Sequence, residues 1–202
     1  MMLFRPVGLA ELELIVSKGN QEFPPRLDWQ PIFYPVLNDD YAVQIARKWN
    51  TLDEFSGFVG FVTEFEVDDE YISHFETQNV GGSDHNELWI PSEELTLFNQ
   101  HIIGRIQVTA SFYGDSYLGK VKETNLFKEL TVDEQALKLT KDLASFLQNI
   151  EAEHSVVLAN YTYWEFHKLV PIEVLDKIQV SWNKVFPEIH LSRERRIRRL
   201  TN

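Results

Sequence analysis

The chain has 202 residues, 44% hydrophobic and 25% charged, with no cysteine and a formal charge of −12. That composition suits a globular protein of one domain, or of one domain with a sizeable appendage, and is too apolar for a wholly disordered chain. It excludes a disulfide framework, a thiolate metal site and a cysteine nucleophile, and the acidity argues against broad contact with nucleic-acid phosphates.

The N-terminus alternates polar and apolar residues and lacks the apolar run of about 7–15 residues that a signal peptide needs. No stretch approaches the roughly 20 apolar residues of a membrane-spanning helix, so a cytoplasmic protein without membrane contact is expected. Leu3 to Val7 reads as a short strand. Gly8 opens a helical pattern (Leu9, Leu12, Ile15, Val16) that Gly19 closes. Ile32 to Val36 is a second β-like run with Pro35 near its end, and Asn38-Asp39-Asp40 supplies cap chemistry for a helix whose stripe is Tyr41, Ala42, Ile45, Ala46 and Trp49.

Phe58 to Val67 is the clearest strand, with Val59, Phe61, Phe65 and Val67 on one face. Tyr71 to Phe75 fits a helical turn or a strand. Gly81-Gly82-Ser83-Asp84 marks a loop, Glu87 to Pro91 a short strand, and Ser92 caps a helix that Gly104 ends. Arg105 to Phe112 closes this half as an alternating strand. Thr131 to Glu134 matches a capping box and heads one apolar helical pattern through Ile150. Val156 to Phe166 is rich in β-branched and aromatic residues, and Pro171 precedes another amphipathic helix. The expected fold is α+β: two small packed β-sheets with short flanking helices over residues 1–112, then a mostly helical extension over 113–202 that packs on it. Five arginines against one glutamate in 192–202 make a basic tail, either a hook for nucleic acid or an acidic partner, or simply a solvated terminus.

The sequence lacks a P-loop, a dinucleotide-binding glycine fingerprint, a His-Glu-x-x-His pair and a nucleophile elbow. The six histidines have no local ligand spacing, so no metal is expected. The acidic clusters at Asp39-Asp40 and Asp68-Asp69-Glu70 fit capping and turns.

What remains is the order of elements. Leu3-Phe4-Arg5 in a first strand precedes a helix. Phe33-Tyr34 then leads to the Tyr41-Ala42 helix, a long strand, a glycine loop, and Glu87-Leu88-Trp89-Ile90-Pro91. Over residues 3 to 112 this order resembles the ADP-ribosyltransferase fold, in which packed small sheets surround an NAD-binding cleft. The resemblance implies NAD as substrate, with Arg5 anchoring a phosphate or ribose and Tyr34 or Tyr41 stacking on nicotinamide. It implies Glu87 as the catalytic carboxylate, holding the ribose and stabilising oxocarbenium-like charge. Ser56, in Ser56-Gly57, resembles in part the Ser-Thr-Ser strand of one branch of that family. His85 stands where arginine-modifying members carry Glu or Gln.

Each residue also has a plainer role: Arg5 in a surface ion pair, Tyr34, Tyr41 and Trp89 in a core, Glu87 facing solvent, His85 as a loop residue. Two rival functions follow. One is a non-catalytic acidic interaction module, of immunity or inhibitor type, that binds a basic protein partner. The other is a small-ligand binder whose pocket has no convergent charge. The enzyme reading requires Arg5, Tyr34 and Glu87 around one concave site; the interaction module scatters them.

Overall fold

A computed structural model describes residues 1–191; the basic tail expected over 192–202 lies outside the described residues. The architecture is a small α+β unit of antiparallel strands with flanking helices, followed by a helical C-terminal region.

Strand β1 (Met2–Val7) pairs antiparallel with β3 (Val59–Val67), and β3 with β7 (Ile102–Tyr113), giving the order β1-β3-β7. On the free side of β1, residues 35–37 act as a stitch. Phe4 and Val36 exchange backbone hydrogen bonds of 2.9 and 2.8 Å, and Val36 is in register with Glu87. Through that stitch the sheet continues into the hairpin of β4 (Thr77–Asn79) and β5 (Asn86–Leu88). The flanking pieces β2 (Ile32–Phe33) and β6 (Ile90–Pro91) pair with each other.

The sheet is covered on both faces, and β3 is buried on both. Its Val59, Phe61, Phe65 and Val67 join the main core with α1 (Leu9–Ser17), while Val62 on the reverse packs under α2 (Asp39–Lys48) with Phe4, Val36, Tyr41, Ala42 and Ala46. Helix α2 sits very close to the strand: a Cβ at Gly60 would lie 2.2 Å from the Ala46 carbonyl oxygen. Asn38 caps α2 through a 3.1 Å bond from the Tyr41 amide, as its side-chain chemistry favours.

One open alternative is decided and several local expectations are corrected. Tyr71 lies in a helical turn, α3 (Asp69–Ile72). Ser92 bonds the Glu93 carboxylate and opens a 3-10 turn, Ser92–Glu94, ahead of α4 (Leu95–Gln100). Gly104 does not end that helix: it lies inside β7 with φ +76°, where the register with β3 is irregular, the left-handed geometry that glycine supplies at a bulge.

The helical run expected from Thr131 to Ile150 is two helices, α5 (Val132–Lys141) and α6 (Leu143–Gln148). Asp142, extended in φ at −141°, breaks the first and caps the second by accepting from the Ser145 amide. The β-branched stretch is a helix, α7 (His154–Phe166), with ten of its residues buried. A helix enclosed on nearly every side carries no polar face and so gives no amphipathic period. Helix α8 (Ile172–Val185) follows Pro171 as expected.

One continuous core spans both regions, from Leu3 and Phe61 through Leu139, Trp164 and Trp182 to Leu191. Two buried carboxylates fasten the irregular segment between β7 and α5. Glu13 of α1 accepts from the Lys122 and Glu123 amides at 2.6 and 3.1 Å. Glu153 accepts from the Asn125 and Leu126 amides at 2.9 and 3.0 Å and from the Thr124 hydroxyl. Anionic acceptors held by backbone N–H groups are among the stronger protein hydrogen bonds.

Candidate active site

The stitch decides where the candidate residues point. Cross-strand partners share a face and successive residues alternate. Phe4, Val36 and Glu87 are in register, so Glu87 projects on the α2 face, and Arg5 leaves β1 on the other. The side chains agree: Phe4 and Val36 pack with Tyr41, whereas Arg5 lies over the Phe33 ring, 4.6 Å from its centroid, beside the main core.

On the α2 face the structure gathers Tyr34, Tyr41, His85 and Glu87, with Trp89 added. Glu87 is 9% exposed and Trp89 donates its indole N–H to one carboxylate oxygen at 2.7 Å. Among the described residues no cation pairs with it. Tyr41 stacks on His85 with centroids 4.2 Å apart and planes 17° from parallel. Burial, and then the nearby Glu87, raise the Tyr41 phenol above its ordinary value, because both disfavour a second negative charge. The hairpin turn closes over His85, whose ring comes within 3.2 Å of where a Gly82 Cβ would stand. Tyr34 meets Trp89 edge-on at 6.1 Å.

Trp89 is not a core residue as expected; it is 49% exposed. Its role was readable from strand alternation, since residues 87 and 89 share a face.

Arg5 belongs to a second group. Its Nε and Nη2 bind the two oxygens of Glu11 at 2.7 and 3.1 Å, a bidentate fork, and its Nη1 donates to the Tyr34 carbonyl at 3.3 Å. Arg26 shares Glu11 at 3.5 Å and also donates to the Ile32 carbonyl and the Gln30 side chain. The Arg5 and Arg26 side chains are only 9% and 6% exposed. Two guanidiniums and one carboxylate leave an excess positive charge. Burial, and then the proximity of Arg5, pull Arg26 below its ordinary value, partly offset by Glu11 and Tyr34. Nothing in the local sequence announced Glu11 or Arg26, because the cluster is assembled across separate segments.

The expectation that Arg5 and Glu87 share one face is therefore not met. The two groups adjoin at Tyr34, whose carbonyl serves Arg5 and whose ring serves Trp89. Ser56 is apart from both. It bonds Asp53 through its amide and hydroxyl, and its carbonyl accepts from Leu9, beyond the end of β1.

A groove of about 550 Å³ between the end of α1 and α4 includes none of the six candidate residues. Among the described residues, no three His, Asp or Glu side chains come together as metal ligands, and no helix is long and apolar enough to cross a membrane. No family model matches the chain, and no curated protein or solved structure is recognisably similar to it.

Proposed function

We propose that the protein is an ADP-ribosyltransferase-like enzyme that binds NAD and breaks its nicotinamide–ribose bond, with Glu87 as the catalytic carboxylate; because Arg5 and Glu87 leave opposite faces of the sheet and do not line one concave site, the reading departs from the arrangement the resemblance implies and rests on the junction at Tyr34. The observation that carries this reading is the meeting of two opposite charge excesses at Tyr34: buried guanidiniums sharing one carboxylate, and a buried carboxylate without a cation. Each excess is costly in isolation and is relieved by a ligand of opposite charge. NAD is bipolar in the same sense, with an anionic pyrophosphate and a cationic nicotinamide ring.

In this reading Arg5 keeps Glu11 and positions Tyr34. Arg26 and Arg5 each have N–H groups beyond the three that bind protein atoms, and those serve phosphate oxygens. The rings of Tyr34 and Trp89 offer π-faces to the cationic ring, and Tyr41, buried and already stacked on His85, backs the cluster. Nicotinamide departs with the electron pair of the glycosidic bond and becomes neutral. Positive charge passes to the ribose, where Glu87, fixed by Trp89, stabilises it. Water or an acceptor nucleophile then adds to the ribose carbon and releases a proton to solvent.

The test is calorimetric titration with NAD and assay of nicotinamide release for wild type and Glu87→Gln. Release should fall by about 100-fold or more while binding persists. Folded wild type that binds no NAD at about millimolar concentration overturns the proposal and makes the acidic interaction module the better account.

A further inference from the structure

A second cavity borders Trp89. It holds about 580 Å³ and is lined by Tyr71, His74, Phe75, Glu76, Trp89 and Glu94, among others, with no lysine or arginine in its lining. The side chains come from three places: α3 and the turn after it, the link between β5 and β6, and the 3-10 turn before α4. Tyr71 is rigidly seated. Its ring lies parallel to His101 at 4.0 Å and edge-on to Phe75 and Phe98. Its hydroxyl is buried and makes no hydrogen bond, although a buried hydroxyl normally finds a partner. Burial and the closeness of Glu94 raise its phenol above the ordinary value.

We propose that this cavity receives the basic side chain of a partner polypeptide, a lysine or arginine carried on a flexible apolar arm. Aromatic walls take the methylene stem and offer π-faces to the cationic head. Glu76 and Glu94 supply the countercharge. The cavity is open to solvent, as a site for a side chain presented from another chain must be, and the net charge of −12 draws basic partners at long range. The inference does not rest on NAD chemistry: it uses neither Glu87 nor the guanidinium pair.

The experiment titrates the full chain with acetyl-Gly-Lys-Gly-amide, its arginine counterpart and its neutral acetyl-lysine counterpart. The Trp89 indole N–H resonance is followed, assigned with Trp89→Phe. The cationic peptides should shift that resonance with a Kd on the order of 0.1–1 mM, and the neutral peptide should bind about tenfold more weakly or not at all. The doubly neutralised Glu76→Gln/Glu94→Gln chain should lose about tenfold in affinity, and wild-type affinity should fall as salt rises. Circular dichroism and the unfolding midpoint of the double variant confirm that its fold is intact. Equal binding of the neutral peptide overturns the proposal. So does unchanged affinity in the double variant, or no shift at about 10 mM cationic peptide. NAD titration of the same double variant separates this site from the Glu87 site, so failure of one reading leaves the other standing.

Discussion

His154 gives the fold a defined response to acid. It opens α7 and is 8% exposed, with its ring stacked 4.2 Å from Phe186 and edge-on to Trp182 at 5.0 Å, and its Nε2 has no partner among the described residues. Burial pushes its pKa down from 6.5 to about 4, because the imidazolium would have to leave water for an aromatic pocket. A depressed pKa means that the unfolded chain binds the proton more tightly. The neutral ring's contribution is therefore complete above pH 6.5 and is lost as pH falls towards 4. Linkage puts the loss at about 2 kcal/mol between pH 8 and pH 5, and about 3 kcal/mol once pH is below both values. The assay is urea unfolding of wild type and His154→Phe at pH 8, 6.5 and 5. Phenylalanine keeps an aromatic ring in the pocket and cannot titrate. Every ionisable group other than His154 is common to both chains and cancels in the difference. Wild-type stability relative to the variant should fall by about 2 kcal/mol from pH 8 to pH 5. A difference that stays flat across that range refutes a buried neutral His154.

Three further outcomes follow from particular contacts. Glu153→Ala removes a fully buried carboxylate and strands the Asn125 and Leu126 amides and the Thr124 hydroxyl; it should cost about 3 kcal/mol by denaturant titration and raise amide exchange over 124–126 first. Gly60→Ala places a methyl group against the Ala46 carbonyl, so α2 must move off the sheet; the expected cost is about 2–3 kcal/mol, read as a lower unfolding midpoint. Glu87→Gln removes the second cause that holds up the Tyr41 phenol, so the Tyr41 titration, followed by ring-carbon NMR, should move down towards the ordinary value of 10 while remaining above it because burial is unchanged. No movement there would separate Glu87 from Tyr41 and dismantle the cluster.

Where the sequence was legible, a local rule and the packed structure asked for the same thing. Asn38 caps α2 and the Thr131–Glu134 capping box forms, because both need only the residues beside them. The alternation in Phe58 to Val67 identified the strand, but not that its reverse face would also be buried, because the small residues Gly60 and Ala46 reveal a close helix only once the helix is placed. The split at Asp142 was hidden because a capping aspartate inside an apolar periodic run also reads as a solvent-facing helical position. Trp49 completes the stripe on α2 by spacing, yet it follows the helix and is 53% exposed. For the site, the order of elements brought Tyr34, Tyr41, His85 and Glu87 within view of one another. The partners that set their chemistry, Trp89, Glu11 and Arg26, depend on register and on contacts between segments that no linear motif records.

The register at Val36 has a consequence for how the two charge groups can act together. Because Phe4, Val36 and Glu87 are strictly in register, Arg5 cannot reach the Glu87 face without a slip of β1 against residues 35–37, and a one-residue slip would turn Leu3 and Val7 out of the main core as well. The sheet therefore keeps the Arg5 guanidinium and the Glu87 carboxylate on opposite faces, where they do not form an internal salt bridge. Had they met, each would have satisfied the other and no charge would remain for a ligand. Instead Glu11 takes up one guanidinium's worth of charge, Trp89 orients Glu87 without neutralising it, and Tyr34 has its carbonyl in one group and its ring in the other.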